Sequence, residues 1–258
     1  MEAKYLYCIV SSGEKASLGR IGLDEAEVYT IPVKGISAVV HSCQPEPYQT
    51  EDRKRAEAWI LVHAFVIDQC TNMFGTVLPF SFDVIVCGGD QAVEEWLSRN
   101  YENLRSGLER VRDKSEYTIQ IFYDYDCLAE RVLIGDRQIE ELKEKIAKAG
   151  KGRAYLLQRN LDLRAKDLVS SEMSRLSQEF GCKIKDLAEE LKVETRAPTP
   201  PEKYRNKKLL ASFSCLVKND LVASLGQALD EINSLEGFAV RFTGPWAPFN
   251  FVKISEAP

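Results

Sequence analysis

Apolar side chains recur at intervals of three and four residues between positions 165 and 191, and this spacing restricts the possible folds more than any other feature of the chain. The stripe consists of Ala165, Val169, Met173, Leu176, Phe180, Ile184, Leu187 and Leu191. Such spacing places all of these side chains on one face of an α-helix. We therefore predict a continuous helix over residues 154–193, which would be about 60 Å long at the standard rise.

Two interpretations of the 165–191 stripe stay open at this point. The helix either covers a sheet formed by the C-terminal strands, or it projects and pairs with another helix. Gly181 marks a position where the helix can bend or divide. The prolines between Arg196 and Pro201 predict an extended linker after the helix.

The first 128 residues alternate between strand-like and helix-like patterns. Strands are predicted at 5–10, 28–33, 36–41, 74–82 and 117–125, and helices at 50–72 and 90–111. We predict a hairpin turn at Lys34-Gly35 and a helix N-cap at Asp90. The order strand, hairpin, helix, strand, helix, strand predicts a ferredoxin-like variant.

The remainder of the chain is richer in helices. Residues 137–151 are charged and helix-prone, and Asn219 or Asp220 is expected to cap a helix that runs through Leu235. Strands are predicted at 209–217 and 238–242. We therefore predict an α+β protein of two domains, a ferredoxin-like N-terminal domain over residues 1–128 and a C-terminal α+β domain with long helices over residues 129–258.

The segment 243–252, Thr-Gly-Pro-Trp-Ala-Pro-Phe-Asn-Phe-Val, combines turn-forming residues with large aromatic side chains. Its prolines fix φ, and Gly244 permits a turn. Trp246, Phe249 and Phe251 carry more apolar surface than a solvated tail tolerates, so the segment must dock. It either closes the core of its own domain or binds a partner.

The charge of the chain argues against nucleic acid and membrane surfaces as partners. With 34 Lys and Arg against 39 Asp and Glu, the formal net charge is -5, whereas both partners attract a cationic face. No run approaches the roughly 20 apolar residues of a membrane span. The seven cysteines form no Cys-x-x-Cys pair and are typical of reduced thiols, so we expect a cytoplasmic protein.

The chain offers few candidates for a general base or a zinc ligand, because His41 and His63 are the only histidines. His63 lies seven residues before Cys70, two turns along the predicted helix. In one interpretation Cys70 is a nucleophile and His63 is the base that activates it. Packing of a histidine beside a buried thiol explains the same spacing, and we favour it.

Acidic and glycine-rich positions are the other candidates for a catalytic or ligand-binding site. Asp83, Asp124 and Asp126 either assemble a metal or acid-base site or cap turns. The Gly88-Gly89-Asp90 turn precedes a helix and has free amides for an anion, but it lacks the Lys-Ser/Thr of a P-loop. We predict no catalytic, cofactor or metal site. The alternative is a ferredoxin-like enzyme or small-ligand sensor that uses the 88–90 turn.

Several blocks of the chain resemble the gas vesicle accessory proteins GvpF and GvpL. These blocks are the terminal segment 243–252, Val77-Leu78-Pro79, the first hairpin around Gly35, and Gly152-Arg153-Ala154-Tyr155-Leu156. The resemblance runs from Tyr5 to Val252. It implies a non-enzymatic assembly factor, located in the cytoplasm and on the gas vesicle, that binds the hydrophobic shell protein GvpA and other accessory proteins.

Candidate partner-binding residues follow from the stripe and the terminal segment. A shell subunit with apolar surface aggregates before assembly unless that surface is covered. Grooves lined by leucine, methionine and aromatic side chains provide such cover. The candidates are Val169, Met173, Leu176, Phe180, Trp246 and Phe249.

Overall fold

A computed structural model of the chain describes residues 2–195, 200–252 and 254. It divides into two compact units, residues 1–117 with 244–258, and residues 118–243. The α+β class is confirmed. The division differs from the expected domains 1–128 and 129–258, because the terminal segment returns to the first unit. Most of the linker predicted between Arg196 and Pro201 lies outside the described residues.

The first unit contains six strands and two long helices before the chain leaves it through a seventh strand. In chain order they are β1 Ala3–Val10, β2 Ser17–Gly19, β3 Val28–Val33, β4 Ile36–Cys43, α1 Arg53–Phe74, β5 Val77–Pro79, β6 Ile85–Cys87, α2 Asp90–Val111 and β7 Lys114–Tyr123. The sheet has the order β2-β3-β4-β1-β5, with β6 also paired to β1. All eight residues of β1 are buried, as a central strand requires.

Turn and cap residues explain where these elements begin and end. The Lys34-Gly35 hairpin is confirmed, since Val33 pairs with Ile36 across a two-residue turn. The prediction that Asp90 caps α2 is wrong, because Gly89 occupies the N-cap position and Asp90 is the first helical residue. The Asp90 carboxylate instead accepts from the Tyr29 hydroxyl at 2.9 Å and lies 3.0 Å from the Lys4 ammonium.

The second unit holds the remaining helices and, with β7, a four-stranded sheet. The elements are α3 Tyr125–Leu133, α4 Arg137–Ala147, α5 Lys151–Lys185, β8 Glu190–Val193, β9 Lys208–Lys218, α6 Val222–Asn233 and β10 Phe238–Trp246. The strand order is β10-β7-β9-β8. Counted from β7, the elements follow the order strand, helices, two strands, helix and strand. This is the order of a ferredoxin-like motif, which we expected in the first half of the chain.

Helix α5 is shorter than predicted at its C-terminal end. It continues through Gly181 and ends at Lys185, a length of 35 residues, whereas we predicted helix to residue 193. Leu191 lies in β8 and pairs with Cys215 of β9. A helix through these residues would leave the backbone groups of β9 without their ladder, and this cost overrides the helical spacing of the stripe.

Helix α6 also departs from the expected cap. Residues Asn219–Leu221 form a short 3-10 turn, and the N-cap of α6 is Leu221, which makes no side-chain cap hydrogen bond. The helix itself is confirmed, with Leu225, Leu229 and Ile232 buried on one face. The 3-10 turn therefore begins the helix in place of an Asn or Asp side chain.

Candidate partner-binding surfaces

The stripe residues proposed for partner binding are placed mainly in the core of the second unit. Val169, Leu176 and Phe180 are buried, and only Met173 is half-buried. The Phe180 ring meets the Phe238 ring edge-on, with centroids 5.6 Å apart. The Tyr123 hydroxyl lies 3.0 Å from the sulfur of Met173. This half of α5 therefore covers its own sheet, as the first interpretation of the stripe proposed.

The terminal segment docks on the first unit and still exposes two aromatic rings. Phe251 is only 2% exposed. The backbone N–H and side-chain amide of Asn250 donate to the two carboxylate oxygens of Glu116, at 2.8 and 2.6 Å. Trp246 and Phe249, in contrast, are 48% and 41% exposed. The segment thus contributes to the core, and its two exposed rings leave apolar surface for a partner.

Gly244 makes the approach of the terminal segment possible. Its φ of 132° lies in a region that residues with a Cβ rarely adopt. A Cβ at this position would lie 2.7 Å from the Tyr117 ring and 2.8 Å from the Glu116 carbonyl oxygen. Only glycine therefore permits this contact between the backbone and β7.

Helix α1 carries an apolar surface that we did not predict. Its inner face buries Trp59, Val66, Ile67 and Cys70. On its outside four large apolar side chains are exposed, namely Ile60, Leu61, Phe65 and Met73. At 100° per residue Leu61 and Phe65 point directly away from the buried side chains. We call Leu61 and Phe65 the α1 outer face, because Ile60 and Met73 lie about 140° apart on opposite flanks of the helix.

A signal for the α1 outer face is present in the sequence. Residues 58–67, Ala-Trp-Ile-Leu-Val-His-Ala-Phe-Val-Ile, are apolar almost all the way around a helix. A surface helix with one packed face needs apolar residues on only part of its circumference. The additional apolar residues indicate a second covered face, whereas the prediction from the sequence used only the repeat that packs on the sheet.

Both histidines lie in a buried hydrogen-bonded network in the first unit. His63 Nε2 donates to the Phe80 carbonyl oxygen at 3.1 Å, so its Nδ1 accepts from the Tyr5 hydroxyl at 2.8 Å. His41 bonds through Nδ1 to Tyr7 at 2.9 Å and through Nε2 to Tyr48 at 2.9 Å. Every ring nitrogen is therefore satisfied within the core.

These contacts remove the possibility that His63 activates Cys70. Both nitrogens of His63 already have partners. Cys70 lies instead beside the buried thiol of Cys8, whose pKa is raised by burial and by the neighbouring Cys70. The Cys8 thiol is thus held in its neutral form and is a poor nucleophile.

The 88–90 turn is occupied by the protein's own groups. The Gly88 N–H donates to the Glu2 carbonyl oxygen at 2.8 Å. Burial alone would lower the pKa of Lys4, but its hydrogen bonds to Glu2, Tyr29 and Asp90 raise it above its usual range. The Lys4 ammonium is thus held as a buried cation beside the Asp90 carboxylate, and an anionic ligand would have to compete with that carboxylate.

Two of the three acidic residues considered for a metal site, Asp83 and Asp124, bind backbone N–H groups. Asp124 is the N-cap of α3 and accepts from the backbone N–H groups of Asp126 and Cys127. Asp83 accepts from the Tyr48 backbone N–H at 3.0 Å. Among the described residues no group of three or more His, Cys, Asp or Glu side chains is arranged to hold a metal ion. Within the same part of the chain, no helix is both long and apolar enough for a membrane span.

Comparison with known proteins identifies the family. The model of the family described as gas vesicle synthesis protein GvpL/GvpF matches residues 3–253. The chain belongs to this family. The resemblance found in the sequence is therefore confirmed, and with it an accessory role in gas vesicles.

Two relatives of the chain are gas vesicle proteins of Halobacterium salinarum and Haloferax mediterranei. Gas vesicle protein L1 of Halobacterium salinarum is 33% identical over 252 residues, which cover 96% of this chain and 89% of the relative. Gas vesicle protein L of Haloferax mediterranei is 31% identical over 238 residues, which cover 89% of this chain and 72% of the relative. The chain is thus similar to these proteins over most of its length.

Solved structures of GvpF proteins share the fold of this GvpL/GvpF-family chain. GvpF from Anabaena sp. PCC7120 superposes with a TM-score of 0.76 at 19% identity, over 99% of this chain and 100% of that protein. GvpF from Microcystis aeruginosa gives a TM-score of 0.66 at 16% identity, over 98% and 99%. At this level of identity the comparison concerns the fold alone.

Acid sensitivity follows from the buried histidines of this GvpL/GvpF-family protein. Burial lowers the pKa of His41 to about 4 and lowers that of His63. Between pH 6.5 and 4 the unfolded chain therefore binds more protons than the folded chain, so stability falls as pH falls through this window. We expect His41 alone to account for a loss of about 3 kcal/mol in the free energy of unfolding.

Urea denaturation at a series of pH values between 7.5 and 4 measures this effect. The variant His41→Gln is the control, because it lacks the titrating group and should show a shallower dependence on pH. An equal slope in the variant and the wild type would contradict the assignment to His41.

Proposed function

We propose that this GvpL/GvpF-family chain binds the hydrophobic shell protein GvpA and limits its aggregation during vesicle formation. The observation that carries the proposal is the α1 outer face, where Leu61 is 69% exposed and Phe65 nearly half exposed on a helix whose other face is fully packed. A cluster of large apolar side chains on the outside of a folded unit is typical of a protein-binding site.

The chemistry of the α1 outer face suits an apolar partner. Fully burying a leucine or phenylalanine side chain contributes about 1.5–3 kcal/mol. Covering the exposed parts of Leu61 and Phe65 therefore contributes roughly 2–3 kcal/mol. Association itself costs about 4 kcal/mol or more in lost translational and rotational freedom, so further contacts must add to the α1 outer face. A subunit that presents an apolar helix can lay it along α1, as amphipathic helices do in helix-in-groove recognition.

The two exposed rings of the terminal segment are a second proposed contact in the same unit. Trp246 and Phe249 have large, rigid rings, and aromatic side chains of this kind dominate the energetics of many interfaces. Of the residues first proposed from the sequence, these two and Met173 keep accessible surface. Val169, Leu176 and Phe180 are no longer proposed as contacts, because they are buried.

The variant Leu61→Glu/Phe65→Glu tests the proposal. We expect the GvpA-type shell protein to remain soluble and to co-purify when it is co-expressed with the wild-type chain. The double variant should weaken this association at least about tenfold, a free-energy change of roughly 1.4 kcal/mol or more. Both positions are exposed, so the variant should keep the wild-type unfolding transition.

A matched control comes from the second unit. Leu156 and Leu163 are also exposed leucines on a helix, so Leu156→Glu/Leu163→Glu introduces the same charge at comparable positions. Binding that survives in this control and fails in the α1 variant supports the α1 outer face. Equal binding by all three proteins would overturn the assignment of the surface, and no association with the wild-type chain would overturn the proposed function.

A further inference from the structure

Strand β8 lies at the edge of the four-stranded sheet, and no other strand among the described residues pairs with its outer side. It is the last strand in the order β10-β7-β9-β8 and pairs antiparallel with β9. The Glu194 N–H donates to the Ser212 carbonyl oxygen at 2.8 Å. Alternate residues of an antiparallel strand face towards and away from their neighbour, so the N–H and C=O groups of Leu191 and Val193 point away from β9.

The side chains at this edge line an apolar groove. Leu191 and Val193 share one face of β8, and Val193 is 66% exposed. Together with α5 and β9 they enclose an open volume of about 490 Å³, lined also by Met173, Gly181, Leu210 and Phe213. The groove and the edge of β8 belong to the same unit and are adjacent, so one extended segment can satisfy both.

We propose that β8 pairs antiparallel with β8 of a second copy of this chain, about a two-fold axis at Val193. In this register Val193 lies opposite the partner's Val193, and Leu191 lies opposite the partner's Thr195. Lys192 lies opposite the partner's Glu194, and by symmetry this charge pair forms twice. The sheets of the two copies then continue into one another.

The charged side chains of β8 favour this register over those with the two-fold axis at Lys192 or Leu191. A two-fold axis at Lys192 would place Lys192 against the partner's Lys192 and Glu190 against the partner's Glu194, and like charges directly opposite each other are unfavourable. An axis at Leu191 would bring Glu189 into the new ladder. The Glu189 N–H is directed towards β9, where it donates to the Leu216 carbonyl oxygen at 2.9 Å.

Self-pairing also covers the apolar groove. Because opposite residues of paired strands project to the same face, Leu191 and Val193 of each copy lie on the same face as their counterparts. The exposed side of Val193 is then packed against its symmetry mate. This proposal concerns the second unit and stands independently of shell-protein binding by α1.

The variant Val193→Pro tests the pairing without disturbing β9. Proline removes a backbone N–H that points away from β9, a position where an edge strand tolerates it. We expect the wild-type chain to sediment as a dimer at high concentration, and Val193→Pro to sediment as a monomer with an unchanged circular dichroism spectrum. Val193→Ala keeps the N–H and should still dimerise, with a modestly larger dissociation constant.

Charge exchange tests the register. Lys192→Glu and Glu194→Lys each place like charges opposite one another, so each should raise the dimer dissociation constant at least tenfold at low salt. The double variant Lys192→Glu/Glu194→Lys restores opposite charges and should recover dimerisation. A wild-type chain that stays monomeric at all concentrations would overturn the proposal, and so would a dimer that Val193→Pro leaves intact. A strand from another gas vesicle protein that binds a monomeric wild-type chain at this edge would also overturn self-pairing.

Discussion

Replacement of Phe180 by alanine is expected to lower the free energy of unfolding of the second unit by about 3–5 kcal/mol. Phe180 is fully buried between α5 and the sheet, where its ring meets Phe238. Removing the ring deletes apolar contacts and leaves a cavity that the packed helix cannot close. Urea denaturation followed by far-ultraviolet circular dichroism measures the loss.

Leu163→Ala is the matched control for Phe180→Ala. Leu163 lies on the same helix but is more than half exposed, and alanine has the higher helix propensity. We therefore expect a change within about 0.5 kcal/mol. If Phe180→Ala were as mild as this control, the stripe would not be part of the core, and its role as a partner surface would have to be reconsidered.

Phe251→Ala is the second variant with a large expected effect. The ring of Phe251 is buried in the first unit although it lies only seven residues from the end of the chain. Its loss should lower the free energy of unfolding of that unit by about 3–5 kcal/mol. The same denaturation experiment, followed by tryptophan fluorescence, reports on this unit through Trp59, Trp96 and Trp246.

Phe249→Ala provides the contrast two residues away. Its ring is substantially exposed, so we expect a loss of no more than about 1 kcal/mol. The two variants also separate stability from binding, because Phe249→Ala should weaken association with the shell protein in a folded chain. Equal destabilisation by the two variants would mean that the whole terminal segment acts as core.

Local structure followed closely from sequence pattern. The buried strand β1, the Lys34-Gly35 hairpin and the helix beginning near Asp52 were all predicted, because alternation, turn residues and caps act over a few neighbouring positions. Family membership was also accessible, since the terminal segment and the Val-Leu-Pro block are specific combinations of residues.

Errors arose where a distant contact overrode a local preference. Aspartate is a typical N-cap residue, but the Asp90 carboxylate contacts the Lys4 ammonium and accepts from the Tyr29 hydroxyl instead. Leu191 continues the helical spacing of the stripe, but β9 requires a neighbouring strand at that position. Neither Lys4 nor β9 can be located from the residues around Asp90 or Leu191.

The sequence by itself determined the α+β class, most of the helices and strands, and the GvpL/GvpF family. Only the tertiary structure decided which apolar faces are covered, burying Phe180 while exposing Leu61. Periodicity shows that side chains share a face of a helix, but it contains no information about what packs against that face. That choice depends on contacts between residues far apart in the chain, and it moved the candidate site from α5 to α1.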